Sequence, residues 1–194
     1  MTATSSPVAL YRAACDVFDR KVRAVRAGQW GSPTPCTEWD VRQLVNHVTV
    51  EDLWAPELLS GRTVEEVGDA FDGDQLGADP VRTWSAALVR ATAVATEPGV
   101  ATRTVHLSYG DDSASSYLMQ MFCDHLIHAW DLATAIGADQ GLPDDLVSAC
   151  AEWFTGAEPV MRGAGLIAPR PPVPDGAGPQ TRLLAAFGRR AGGG

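Results

Sequence analysis

At 194 residues the chain suits one domain and can bury a substantial core without disulfides or metal clips, so a bound metal would be functional and not a folding staple. Apolar residues make up 45% and charged residues 20%, within the globular range, and the formal net charge is -9. An acidic surface of that size argues against a nucleic-acid backbone or an anionic membrane as the main partner.

The four cysteines, Cys15, Cys36, Cys123 and Cys150, are scattered, with no CxxC or zinc-finger spacing. No signal peptide opens the chain, and the longest apolar runs fall far short of a membrane span. A reduced, cytoplasmic setting with free thiols is expected. Cys123, beside a candidate ligand, is read as a buried structural cysteine.

In chain order, a first helix is predicted from Pro7 to Arg26, stopping at Gly28, with Leu10, Ala14, Val17, Phe18 and Val22 on its apolar side. Gly31 to Thr37 is a loop, because its two prolines cannot sit in a helix interior. Asp40 is a good N-cap, and Gln43 completes a capping box. The second helix carries Val41, Leu44, Val45 and Val48, with Pro56 as a kink or break and an end near Gly61. Residues 62–77 form a polar connection. Asp79 followed by Pro80 opens a third helix to about Thr96, terminated by Pro98 and Gly99.

The β-branched run Thr102 to Leu107 reads as a brief strand before a turn at Tyr109 to Asp112. A fourth helix is expected from Ser113 to Ile136, ending at Gly137. A fifth begins at Leu142 to Asp144 and carries Leu146, Val147, Cys150 and Phe154. A short apolar piece, Thr181 to Phe187, follows a Pro- and Gly-rich stretch, and 188–194 read as a disordered tail. The fold class is all-α: one domain over residues 1–194, with four long antiparallel helices and helical additions at the C-terminus.

Three of the four histidines fall on predicted helices. His47 lies about 60° from Leu44 around the second helix, on the flank of its apolar stripe, and Glu51 projects to nearly the same side one turn on. On the fourth helix Leu118, Met121, Phe122, Ala129 and Leu132 form the apolar face. Asp124 and His128, four residues apart, stack on its flank. Such a carboxylate–imidazole pair can chelate one ion, with His47 best placed to complete the set and open coordination positions left over. By spacing alone such a pair is more often a surface ion pair or a cap, and His47 alone is more often a satisfied, half-buried histidine.

His125 faces the centre of the apolar stripe and reads as a core histidine, though it is the substitute ligand if Asp124 does not bind. Asp131 could orient the His128 imidazole or stand exposed on its helix. His106 falls at a pocket mouth or on the surface. Trp39, Trp54 and Trp130 are expected as packing anchors. Arg42 and Arg103 are open candidates for a substrate carboxylate.

Pro35 to Val48 (PCTEWDVRQLVNHV) and Asp124 to Ala133 (DHLIHAWDLA) resemble two signatures of the DinB-like, mycothiol-dependent maleylpyruvate isomerase N-terminal-domain superfamily. Arg182 to Arg189 (RLLAAFGR) resembles the C-terminal end of its short, single-domain actinobacterial metal-binding members. The resemblance implies a DinB-like antiparallel four-helix bundle with a three-ligand divalent metal site, the ligands falling on His47, Asp124 and His128. Where this chain has Asp124, the family's isomerases look to use a glutamate. Those isomerases also carry an additional C-terminal domain that this chain is too short to contain, which counts against that particular activity.

The resemblance further implies a divalent metal, zinc first with nickel or iron as alternatives, and mycothiol as co-substrate. The expected function is thiol S-transfer or isomerisation of a small electrophile through a metal-bound thiolate, with no protein nucleophile. The alternatives are a metal-dependent hydrolase, a non-catalytic binder of metal or small ligand, and a helical interaction domain with structural histidines. The partners are then a small-molecule substrate and a low-molecular-weight thiol, with neither nucleic acid nor membrane. Related bundles often pair, which leaves a homodimer open.

Overall fold

Local capping chemistry sets the helices of the computed structural model, which describes residues 5–190. Helix α1 (Pro7–Ala24) is opened by the Ser6 hydroxyl, which accepts from the Ala9 N–H, and by Pro7 in its first turn. It stops two residues before the expected Arg26. Val25 turns extended, and one 3-10 turn at Ala27–Gln29 follows.

Helix α2 (Val41–Leu59) starts where its capping box requires. The Asp40 carboxylate accepts from the Gln43 N–H at 2.8 Å, and the Gln43 side-chain oxygen accepts from the Asp40 N–H at 2.9 Å. Replacing Asp40 by alanine should cost about 1 kcal/mol, read as a fall of a few degrees in the unfolding midpoint of the metal-free protein. An unchanged midpoint would show that the loop before α2 caps it by other means. Pro56 does not break α2. The helix continues one turn past it, and the Ser60 N–H donates to the Pro56 carbonyl at 3.1 Å.

The polar connection contains a one-turn helix, α3 (Val64–Val67), opened by a capping box between Thr63 and Glu66. Helix α4 (Pro80–Ala95) begins at the Asp79 cap and Pro80 as expected.

The strand expected before a turn belongs to a hairpin. Strand β1 (Thr104–Leu107) pairs antiparallel with β2 (Gly110–Ser113) in the register Thr104↔Ser113 to Leu107↔Gly110. The turn is therefore the two residues Ser108 and Tyr109, and Gly110 to Asp112 are strand. Gly110, at φ 128°, supplies backbone freedom that a residue with a Cβ lacks.

Helix α5 (Ala114–Ile136) is buried nearly all round, beyond the stripe its periodicity marked, with Cys123, Leu126, Ile127, Trp130 and Ala133 also inside. The reason is its position: α5 packs against α1 on one side and α2 on another, and touches the hairpin. The α2–α4 and α1–α4 contacts close the ring of α1, α5, α2 and α4 into a four-helix bundle. The fold is all-α, the hairpin being its only sheet among the described residues.

The chain divides into two compact units at Asp139/Gln140. The second contains α6 (Asp144–Gly163) and α7 (Pro179–Ala186), joined by a stack of Phe154 on Phe187 with ring centroids 3.8 Å apart. Arg189 still donates its N–H to the Leu184 carbonyl, while 191–194, the rest of the expected tail, lie outside the described residues. No helix among the described residues is long and apolar enough to cross a membrane.

Candidate metal centre

His47 on α2 and Asp124 and His128 on α5 come together where the two helices face each other. Their donor atoms all lie within 4.8 Å of one another. His47 Nε2 is 3.5 Å and His128 Nε2 is 3.3 Å from the same oxygen, Asp124 Oδ1. The imidazoles meet edge to face at 5.0 Å between centroids. His128 is almost covered, with 8% of its side chain exposed, whereas His47 keeps 28% and Asp124 32%, so the group opens toward solvent at His47 and Asp124 together.

These separations are long for charge-assisted hydrogen bonds, which run at about 2.7–2.9 Å. They match the edge of a tetrahedron of donors around an ion with bonds of about 2.0–2.1 Å, which is about 3.3 Å. Asp124 Oδ2 is buried with no hydrogen-bond partner. Two imidazoles and a carboxylate with an unsatisfied oxygen are a donor set that fits a borderline divalent ion.

His128 is held from behind. Its Nδ1–H donates to Asp131 Oδ2 at 3.0 Å, which points Nε2 at Asp124. Asp131, which the sequence leaves either orienting or exposed, is fully buried and takes the orienting position. Its Oδ2 also accepts from the Cys36 thiol at 3.3 Å. Burial alone pushes the His128 imidazole down, but Asp124, Asp131 and Cys36 outweigh it and hold its pKa well above the usual histidine value. For Asp124, burial pushes upward, while His128 and His47 outweigh it and hold the carboxyl well below the usual range. Glu51, one turn after His47, is raised by burial and by the nearby Asp124 carboxylate.

Two further side chains line the group. Trp39 lies against both imidazoles, with ring centroids 4.7 Å from His47 and 5.8 Å from His128. Cys36 reaches Asp131 from the same loop, which is tied by a Pro33↔Asp40 bridge and by the Thr34 hydroxyl donating to the Trp39 carbonyl. Sequence reading treats Trp39 as a packing anchor and Cys36 as one of four scattered thiols. For Trp39 a positional signal exists, and for Cys36 the sequence offers none. A residue just before an N-cap folds back over the first turns of its helix, and His47 lies on the second turn of α2.

The other candidates fall elsewhere. His125 is fully buried on another side of α5 and does not join His47. His106 pairs with Asp111 across the hairpin at 2.7 Å. Arg42 binds Asp74 and the Gly77 carbonyl, and Arg103 spans the Leu59 carbonyl and Glu97, so both hold chain segments together. Trp54 packs on Phe71, while Trp130 and Cys123 are buried.

The model of the mycothiol maleylpyruvate isomerase N-terminal domain matches residues 11–133, which include both halves of this group. Two Mycobacterium tuberculosis proteins, uncharacterized protein MT0763 of strain CDC 1551 / Oshkosh and uncharacterized protein Rv0738 of strain ATCC 25618 / H37Rv, are each 30% identical over 187 residues, covering 94% of this chain and 97% of theirs. The crystal structure of a histidine-to-alanine mutant of mycothiol-dependent maleylpyruvate isomerase resembles the fold with a TM-score of 0.55 at 15% identity, over 74% of this chain and 65% of that one. At that identity the likeness speaks for the fold alone. The family match from Tyr11 to Ala133, with relatives alike along nearly their whole length, means that the chain belongs to the mycothiol maleylpyruvate isomerase N-terminal domain family.

Proposed function

We propose that His47, Asp124 and His128 hold one divalent metal ion, zinc before nickel or iron, and that the protein uses it with a low-molecular-weight thiol, mycothiol by family, to transfer sulfur to or isomerise a small electrophile. The observation that carries this reading is the approach of two imidazole Nε2 atoms to one carboxylate oxygen at tetrahedral-edge distances. Bound there, the ion would supply a Lewis acid that keeps a thiol in its nucleophilic thiolate form near neutral pH.

The chain's own groups have separable tasks. Asp131 locks the His128 tautomer, so that Nε2 presents its lone pair to the site. Trp39 covers the imidazole edges and limits water on that side. No protein nucleophile is required, and the partly exposed His47 and Asp124 mark the entrance for thiol and substrate.

Elemental analysis of the purified protein should find about one divalent metal per chain, and apo-protein should take one up. Loaded protein should consume thiol in the presence of small electrophiles such as maleylpyruvate or a chlorinated arene. Absence of any metal uptake would overturn the reading. Metal uptake with no turnover across a broad thiol and electrophile screen would leave a binding protein and discard the enzyme.

A further inference from the structure

A second cluster of chemistry-bearing side chains lies in the bundle core, one residue along from the candidate centre on α5. Asp52 Oδ1 accepts from the Tyr11 hydroxyl at 2.6 Å and from His125 Nε2 at 3.1 Å, and His125 Nδ1 donates to the Met121 carbonyl at 2.8 Å. Cys15 brings its sulfur within 4.8 Å of the Asp52 and His125 donors. All four side chains are buried: Tyr11, Asp52 and His125 are fully covered and Cys15 is 1% exposed. The distances separate this cluster from the first. At 2.6 and 3.1 Å Tyr11, Asp52 and His125 are hydrogen-bonded to one another, while Asp52 Oδ2, like Asp124 Oδ2, is buried with no partner. With the Met121 carbonyl and the Asp52 carboxylate facing its two ring nitrogens, His125 makes a buried imidazolium–carboxylate pair backed by a phenol.

Such a pair is a weak source of stability, because the desolvation of both charges offsets their attraction. Its geometric consequence is larger. Tyr11 stands on α1, Asp52 on α2 and His125 on α5, so the network fixes the rotation of α2 against α5. Asp52 follows His47 by five residues on α2, and His125 directly follows Asp124 on α5. A side-chain donor stands about 5–6 Å from its helix axis, so a 20° turn of α2 swings His47 Nε2 by on the order of 2 Å. That displacement removes it from the 3.5 Å approach to Asp124.

We infer that Tyr11, Asp52 and His125 are positioning residues for the candidate metal centre, a buried three-helix clasp that sets His47 opposite Asp124. This rests on the metal-binding reading above and names groups that touch neither metal nor substrate.

Cobalt(II) titration of the purified full chain tests it, read by visible absorption and by competition with a chelator, beside thermal unfolding of the metal-free protein. Tyr11→Phe and Asp52→Asn should each weaken cobalt binding about tenfold and alter the absorption bands. Val22→Ala, a truncation at the far end of α1, should lower the unfolding midpoint comparably while leaving affinity and spectrum unchanged. If Asp52→Asn does not fold, Tyr11→Phe removes a single hydroxyl and carries the test. Wild-type affinity and spectrum in Tyr11→Phe would overturn the clasp. A near-ultraviolet thiolate-to-cobalt band that disappears in Cys15→Ser would overturn it too, by making the cluster itself a metal site. Wild-type protein that takes up no cobalt would instead sink the metal reading from which this inference starts.

Discussion

Replacing His128 by alanine is expected to leave a folded bundle that no longer retains its metal. Structural zinc sites with four ligands are worth about 10–16 kcal/mol, so one ligand of such a set accounts for roughly 10²–10³-fold in affinity. The fold should survive, because the α1, α2, α4 and α5 core is built from apolar contacts independent of this ring. Asp131→Asn should do less, about 10–100-fold, since it removes the group that orients His128 while keeping the ligand. Affinity should also fall with acidification. The His128 pKa is held above the usual histidine value in the metal-free protein, so protons compete with the ion from a higher pH than an ordinary histidine would allow. Cobalt affinity measured at pH 8 and pH 6 should drop at least about tenfold. A His128→Ala protein that kept full metal content, or an affinity flat with pH, would remove His128 from the ligand set.

Trp84→Ala should be the most damaging single truncation in the bundle, at about 3–5 kcal/mol. Its side chain is fully buried on α4, stands edge-on to Phe18 at 4.9 Å between centroids, and donates its indole N–H to Asp19 Oδ1 at 3.0 Å. The substitution would open a large cavity between α4 and α1 and leave the Asp19 oxygen without its indole partner. For a chain of this size the unfolding midpoint should fall by on the order of 10 °C in the metal-free protein. A loss under about 2 °C would mean that the neighbouring helices close over the space. The tryptophans within the sequence motifs are Trp39 and Trp130. Trp84 carries no motif, and only the α1–α4 contact shows what it does.

Helix starts were readable because caps are local. The Asp40 and Asp79 carboxylates accept from the N–H groups of Gln43 and Arg82, each three residues on, so the sequence contains both partners. Pro56 lies inside α2 and does not break it, because the packing of α2 against α4 and α5 is set by residues far from it in the chain. The hairpin shifted because Gly110 was read as part of the turn, whereas its positive φ opens β2.

The candidate centre divides along the same line. Asp124 and His128 share one side of α5 on spacing alone, because four residues close one helical turn whatever surrounds it. Helical periodicity likewise places His47 on the flank of α2. That the two flanks meet was decided by the tertiary structure, as was the burial of Asp131 behind His128 and the departure of His125 into a separate core network. So too was the arrival of Trp39 and Cys36 over the site from the preceding loop. The rotation of one helix against another is set by side chains packed along their whole contact, summed over residues far apart in the chain. No local pattern around His47 or Asp124 contains that sum.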